Sequence, residues 1–590
     1  MPRGRQERKM HSEKSFLRRY VFSTDPKVIG IQYLLTAMVM GGIAGFLAMI
    51  IRLQLAWPGR SWSFLGALFP AGAEGGILKP EFYLSLITMH GTLMVFFFVS
   101  FALVSGFGNY LIPLQIGARD MAFPFLNMLS YWVAVPACLI MLGSFWVEGG
   151  AAASGWTAYP PLSAVKQAVP GSAWGQTLWI LGMALFIVSF TMGGLNYVAT
   201  ILNLRAPGMS MRRLPLTVWS FLISAIIGLL AFPALTAAAV MLLFDRHFGS
   251  SFFLPAGLFF GNQLLPNQGG TPLLWQHLFW FLGHPEVYVL VLPALGICFE
   301  VLPAFTRKPV FGYRITTLSL ISIAVLSMIV WGHHMFVSGM NPLVGEFFSI
   351  GTMLITIPSA MIGVNMIASL WGGALRLTTP MLFALGIISL FGTGGLGGLF
   401  LGNAAADIPL HDTYFVVGHF HFMIGGVTFF GICAAVYYWF PKMFGRMLNR
   451  KLGKLHFWLT LLAFYSIFTG QHFLGIGGLP RRYYSFANFN YLQPYQNVNL
   501  FITVAAFVMG IAQLIFLFNF FWSLARGEKA DQNPWKATSL EWTTASPPPH
   551  GNWGEKVPTV YRWAYEYSLE GASEDYTPQT VSAEVIGRES

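Results

Sequence analysis

Long apolar runs separated by short polar connections fill this chain from about residue 28 to about residue 525. Each run is about 20 residues or longer, enough for a helix to cross the hydrocarbon of a bilayer. The runs fall near 28–54, 82–113, 124–147, 174–203, 215–244, 271–303, 310–333, 345–371, 380–402, 412–440, 456–476 and 498–525. The pattern predicts an all-α polytopic membrane protein, with about twelve transmembrane helices in a single bundle over 28–525. A basic segment, 1–27, precedes the bundle, and a polar tail, 526–590, follows it. No fixed-period repeat is visible.

Composition supports the membrane assignment. The 590 residues are 55% hydrophobic and 10% charged, whereas a soluble domain carries roughly 25% charged residues. The formal net charge of +11 therefore reads as topology rather than nucleic-acid binding. Arg3, Arg5, Arg8, Lys9, Lys14, Arg18 and Arg19 precede the first run without a small-residue cleavage site, and read as a cytoplasmic anchor. With that end inside, the cytoplasmic connections hold Arg119; Arg205, Arg212 and Arg213; Arg307, Lys308 and Arg314; Arg376; and Lys442, Arg446, Arg450, Lys451 and Lys454. Arg481 and Arg482 are an outer exception and need a partner. The region beyond Leu524, with Pro547-Pro548-Pro549, reads as a cytoplasmic tail without chemistry. Cys138, Cys298 and Cys433 are far apart and form neither a metal-site pair nor a CxxCH haem attachment. Thiolate copper or covalent haem, if needed, belongs to another chain.

Polar residues inside the apolar runs carry the chemistry, because each is expensive in hydrocarbon. His284-Pro285-Glu286-Val287-Tyr288 lies within the sixth run. On a helix His284 and Tyr288 are one turn apart and share a face, while Glu286 points elsewhere. One segment thus offers a metal ligand and a phenol to one cavity and a proton carrier to another. The structural alternative is a helix kinked at Pro285 whose polar groups pair with neighbours. His333-His334 ends the seventh run, and with His284 makes three nitrogen ligands suited to copper. Adjacent residues on a regular helix diverge by ~100°, so both can ligate only if the helix end is irregular. His90 sits deep in the second run, where a hydrogen-bonded structural role is equally open. His419 and His421 are ~200° apart on a helix and face opposite flanks. His411 and Asp412 offer ligands for a hard or borderline cation nearer the outer surface, and Asp412 can also cap a helix.

The stretches WFLGHPEVYVLVLPALG, WGHHMF, HDTYFVVGHFHF, GWTAYPPL, QHFLG with LPRRY, and FGNYLIPLQIGARDMAFP resemble subunit I of the haem–copper terminal oxidases, specifically the cytochrome c oxidase type with Glu in GHPEVY. The resemblance covers roughly residues 25 to 525. It implies a bundle enclosing two haems, of the haem a type, and a copper, CuB. His90 and His421 would be axial ligands of the low-spin haem and His419 the proximal ligand of the high-spin haem. His284, His333 and His334 would hold CuB, with Tyr288 cross-linked to His284 and donating an electron and a proton to oxygen. Arg481 and Arg482 would pair with haem propionates, as guanidinium forks suit carboxylates. Arg52 and Trp280 would also contact cofactors, and His411 and Asp412 would bind magnesium. The implied activity is reduction of O2 to water with electrons from cytochrome c, coupled to proton pumping. The implied partners are a copper-bearing subunit II, subunit III, a c-type cytochrome, the lipid bilayer and a larger respiratory supercomplex, without nucleic acid. The implied location is the inner (cytoplasmic) membrane of a bacterium, with both termini in the cytoplasm.

A proton path can be drawn from Asp120, in the loop after the second run, through Asn109, Asn127, Asn196, Ser130 and Ser189 to Glu286. A carboxyl group in an apolar site is suited to taking up and releasing protons near neutral pH. One departure stands out. The family's second path uses a lysine in the eighth run, and Ile362 stands in its place in ITIPSAMIGVNM. The stripe Ser349, Thr352, Thr356, Ser359 remains on one helical face. Glu300, about 18 Å from Tyr288 along the helix, could replace part of the lysine's role or be an interfacial anchor.

The related quinol oxidases carry quinone-binding polar residues where this chain has Ile43, Leu47, Phe82 and Ser85. A cytochrome donor is therefore favoured over quinol. A nitric oxide reductase would share the six histidines but needs iron-binding carboxylates beside three of them. A cofactor-free transporter or a non-enzymatic haem sensor leaves the convergence of six histidines unexplained.

Overall fold

The computed structural model describes residues 15–168, 173–266, 269–487, 489–554 and 556–582. Arg3, Arg5, Arg8, Lys9 and Lys14 of the basic segment lie outside the described residues. Among the described residues eleven helices are long and apolar enough to cross a membrane. In chain order with one shorter helix they are α1 (Pro26–Ala56), α2 (Pro80–Ile116), α3 (Pro124–Trp146), α4 (Trp174–Asn203), α5 (Leu216–His247), α6 (Pro272–Thr306), α7 (Tyr313–Ser327), α8 (Pro342–Leu370), α9 (Thr379–Leu401), α10 (Tyr414–Phe444), α11 (Arg450–Ile476) and α12 (Asn490–Arg526).

Local chemistry sets the helix starts. α1, α6 and α8 each open with proline at the first position, behind Asp25, Thr271 and Asn341, whose side chains accept from a backbone N–H of the first turn. This is the favoured arrangement, since proline lacks a donor that would be orphaned there anyway. The seventh apolar run departs from a single long span. α7 stops after 15 residues, and a separate 3₁₀ turn, Trp331–Met335, carries His333 and His334. Val330 breaks the helix at φ −117°, which gives the irregular end that two adjacent metal-facing imidazoles require. α2 over Leu93–Phe107 and α10 over His421–Val427 wind as π-helix, a device that re-aims side chains at functional sites.

α6 is the axis of the bundle: 89% of its most apolar window is buried, against 28% for α1 or α8. α5 packs along it, and α10 crosses it where Gly431 meets Ala294. The carboxyl end of α11 packs equally closely on the start of α10. A Cβ on Gly475 would lie 1.9 Å from the Phe415 amide nitrogen. Gly475→Ala must therefore push α11 off the helix that carries His419 and His421, at a cost of about 1–3 kcal/mol. The expected result is a lower midpoint for thermal loss of haem absorbance; an unchanged midpoint would show that this crossing is slack.

The segment after Arg526 is not a loose tail. It lies across one end of the bundle, called here the tail face. Met447 donates to Glu528 O (2.8 Å), Lys27 Nζ to Asn552 Oδ1 (2.8 Å), and Asn552 Nδ2 to Ala118 O (2.9 Å). Its own Leu540, Glu541 and Trp542 are buried.

Candidate functional site

A largely apolar cavity of ≈ 1390 Å³ runs through the bundle, lined by His411 and by six further histidines. Three form one cluster. The ligand nitrogens of His284 on α6 and of His333 and His334 on the 3₁₀ turn lie within 4.8 Å of one another. Hydrogen bonds fix their orientation. The Thr352 hydroxyl donates to Phe348 O (2.6 Å), so it accepts from His333 Nδ1 (2.9 Å). His333 thus presents a bare Nε2, and His334 Nε2 lies 3.1 Å from it. His284 Nε2 is buried with no hydrogen-bond partner among the described residues. Orphaned imidazole nitrogens converging on one point fit a borderline cation such as copper. Trp280 stacks on His334 (ring centroids 3.8 Å apart, 12° between planes) and donates to the Tyr159 hydroxyl. Tyr288 lies edge-on to His284, with centroids 4.7 Å apart.

The other three histidines share one feature: each turns Nδ1 to a backbone carbonyl. His90 meets Ala44 O (2.9 Å), His421 meets Val417 O (2.8 Å) and His419 meets Gly394 O (2.9 Å). A carbonyl can only accept, so Nδ1 carries the proton and Nε2 is left bare, the arrangement that orients a metal-bound imidazole. The rings of His90 and His421 are nearly parallel, 11° apart with centroids separated by 6.5 Å. Two bare nitrogens facing each other across such a gap fit a six-coordinate haem iron. His419, on the other flank of α10, fits a five-coordinate one.

Residues 28–508 match the family model described as cytochrome c and quinol oxidase polypeptide I. The chain belongs to that family. It is the catalytic subunit of a terminal oxidase of the cytochrome c oxidase kind, multi-pass in the membrane and associated with other oxidase subunits, and the family implies haem and copper as its cofactors. It is 50% identical over 572 residues to the alternative cytochrome c oxidase subunit 1 of Bradyrhizobium diazoefficiens, covering 97% of this chain and 94% of that one. It is 42% identical over 555 residues to cytochrome c oxidase subunit 1 of Thermostichus vulcanus, covering 94% of each. A solved heme-copper terminal oxidase dimer shares the fold, with a TM-score of 0.68 at 19% identity over 86% of this chain and 85% of that one.

In this oxidase the cavity's rim is cationic. Burial pushes the Arg481 guanidinium down to about 10, with neighbouring Arg482 adding to the shift. Asp412 is its carboxylate neighbour at 3.6 Å, and Arg482 Nε is buried without a partner among the described residues. The pair suits the carboxylates of a haem edge. Arg52 donates to Asn499 O (2.8 Å) and Thr503 Oγ1 (3.0 Å), while its Nη1 has no partner among the described residues. His411 lies between two acids, with Nε2 3.6 Å from Asp412 and Nδ1 3.5 Å from Asp407. Asp407 is buried and was not singled out in the sequence; its signal is an acid one helical turn before His411.

Around Glu286 the oxidase adds residues that the sequence reading missed. Ser100, on the π-wound part of α2, donates to Glu286 Oε1 (3.3 Å). Tyr33 joins Ser130 and Ser189, its hydroxyl 3.1 Å from each. Asn127 is fully buried with neither side-chain atom partnered among the described residues, and Asn109 donates to Ser105 O (2.8 Å) with its Oδ1 unpartnered. Asn196 does different work. It accepts from the Phe123 amide (3.0 Å) and donates to the Phe123 carbonyl (3.1 Å), clamping the loop that follows Asp120. Asp120 is half-buried at the tail face, where burial raises its carboxyl pKa against the pull of the Met121 amide. Glu300 is not an interfacial anchor: it is 2% exposed and covered by the carboxy-terminal segment.

Proposed function

We propose that this subunit reduces O2 to water in the space between His419 and the His284, His333, His334 cluster, with electrons from a c-type cytochrome, and pumps protons as it does so. The observation that carries this is the three-imidazole cluster sharing one cavity with the single bare imidazole of His419, with Tyr288 against His284. Among the described residues no carboxylate joins that cluster, which favours copper and oxygen over a nitric oxide reductase.

We assign the residue roles from the family resemblance, and the geometry is compatible with them. His90 and His421 hold the low-spin haem, His419 the high-spin haem, and His284, His333 and His334 the copper. When bound, the haems and copper carry the electrons and bind O2. Trp280 fixes the plane of His334. Arg481 and Arg482 hold propionates, and Arg52 contacts the low-spin haem, in keeping with a haem a type. His411 and Asp412 bind magnesium, with Asp407 behind His411. Tyr288 places a phenolic proton at the reaction pocket. Glu286, fed from Asp120 past Asn127, Ser130, Tyr33 and Ser189, holds the proton that is then delivered; Asn109 flanks this line and Asn196 fixes its mouth.

The basic connections gather at the tail face, which we assign to the cytoplasm, with both termini there, in the inner membrane of a bacterium. Residues 28–525 form the catalytic unit and the segment after it a cytoplasmic cap. Subunit III and a copper-bearing subunit II complete the complex, and a respiratory supercomplex is a further assembly.

The donor is tested directly. Leu47 is buried, and the Ser85 hydroxyl is already spent on Phe82 O (2.8 Å), so with Ile43 and Phe82 this face offers a quinone head group no free donor. The purified complex should oxidise reduced cytochrome c at least roughly tenfold faster than quinol, a difference of about 1.4 kcal/mol in barrier. Faster oxidation of quinol would overturn the assignment. Metal analysis of the same sample should find copper with two haems; iron in place of copper would overturn the site.

A further inference from the structure

A second polar cluster lies where α5, α6 and the carboxy-terminal segment meet, away from the histidines. Glu300 Oε2 accepts from the Thr217 hydroxyl (3.2 Å) and from the Tyr565 hydroxyl (3.0 Å). Glu541, fully buried, takes three donors on Oε1: Gln115 Nε2 (3.2 Å), Trp439 Nε1 (3.1 Å) and Ser539 Oγ (3.1 Å). Its Oε2 has no hydrogen-bond partner among the described residues. Ser539 neighbours Glu300 as well, and the charges of the two glutamates act on each other.

Charge counting bears on the pair's protonation. The buried cation facing Glu541 is Lys442, whose Nζ donates to Thr544 O (2.8 Å) and sits over the Trp542 ring. Arg307 is turned to Asp575 (3.4 Å), and the other titratable neighbours among the described residues are the phenols of Tyr313, Tyr438, Tyr565 and Tyr567. One cation serves two buried carboxylates, so one of them must keep a proton to avoid an unpaired buried charge.

A line of hydroxyls leaves this pair. Thr217, Ser220 and Ser224 follow at i, i+3 and i+7, on one face of α5. Gly296 opens the α5–α6 seam to them: a Cβ there would lie 2.3 Å from Ser220 Oγ. Ser224 Oγ is buried with no partner among the described residues. It stands about 6 Å beyond Ser220, one helical turn short of Tyr288. On α8, by contrast, the stripe of Thr352, Thr356 and Ser359 runs into the fully buried Ile362. We infer that Glu300 and Glu541 form one proton-holding site, assembled by the carboxy-terminal segment, that passes protons along Thr217, Ser220 and Ser224 towards Tyr288.

The transfer is of protons alone. Neighbouring side chains on one helix face stand roughly 5–6 Å apart, so water between these hydroxyls relays each proton; Glu541 returns a proton to Glu300 past Ser539, and water at the tail face refills Glu541. A polar cavity of ≈ 470 Å³, lined by Thr543, Thr544 and Lys556, opens beside that segment. Burial raises the Glu541 pKa, which suits it to accept that proton. The last leg rests on the role proposed for Tyr288; the carboxylate pair does not.

The test uses the whole purified complex. Redox-induced infrared difference spectra should contain one protonated-carboxyl band that both Glu300→Gln and Glu541→Gln remove. Proton uptake during haem reduction should slow roughly tenfold in Glu300→Gln and in Ser224→Ala, with haem spectra and carbon monoxide binding unchanged. Ser224→Ala leaves both carboxyls in place, so it answers the kinetic question even where a glutamine variant fails to assemble. Persistence of the band in either glutamine variant overturns the shared site. Uptake at the parental rate in Ser224→Ala overturns the line. Tyr288→Phe should keep the band, so an error about Tyr288 is distinguishable from an error about the pair.

Discussion

Tyr288→Phe should retain both haems and nearly all fold stability, and lose oxygen-reducing turnover by roughly 10²–10⁴-fold. Tyr288 lines the large cavity one turn from His284. Reduction of O2 to two waters takes four electrons and four protons, and a phenol at this position can give one of each without waiting for delivery from elsewhere. Phenylalanine keeps the ring that packs edge-on to His284 and deletes only the hydroxyl. A lost hydroxyl is costly to folding where it leaves a buried partner unsatisfied, and no side chain among the described residues depends on this one. Mass spectrometry of the parent should show a fragment joining His284 to Tyr288, absent from the variant. Parental turnover in the variant would refute the proposed oxygen chemistry.

Glu286→Gln should slow turnover at least ~10²-fold and abolish pumping, with haem spectra intact. The amide keeps the shape and can still accept from Ser100, the one partner of this side chain at 3.3 Å among the described residues. What it cannot do is bind and release a proton. Glu286 Oε2 is buried and unpartnered among the described residues, on the side of α6 away from Tyr288. A static hydrogen-bonding role would be expected to satisfy both oxygens. Oxygen consumption near the parental rate, followed together with external pH in vesicles, would show Glu286 to be structural.

Much of the fold was legible because membrane helices announce themselves by unbroken apolar length. The expected and observed bounds of α4 coincide, and most others differ by a few residues. The exception, the run 310–333, is instructive. Hydropathy does not register the break at Val330, because Met328, Ile329 and Val330 itself carry the apolar run through it. The histidines were visible as isolated polar groups in hydrocarbon. Their supporting partners were not, because Ala44, Val417 and Gly394 act through backbone carbonyls that no side-chain pattern encodes. Tyr33 and Ser100 read as ordinary residues of apolar spans until the π-wound α2 turns Ser100 to Glu286. Glu541 was hidden by distance along the chain, since a polar segment far from the spans gives no sign that it returns to cover Glu300.

On the proposed proton chemistry, that return makes the order of synthesis a part of the enzyme's proton insulation. All twelve helices precede residues 527–582 in the chain, so the bundle is threaded into the membrane before its tail face has a lid. Until the lid arrives, Lys442 lacks the carbonyls of Gln532, Thr544 and Ala545 that it donates to, and Glu300 lacks Tyr565. A chain stopped short of Leu540 would have all six clustered histidines in place and an unsealed tail face. The same segment ties α1 to the loop after α2 through Asn552, which bonds both Lys27 and Ala118. Closure of the lid therefore reports, at the tail face, that the first and last parts of the bundle have found each other.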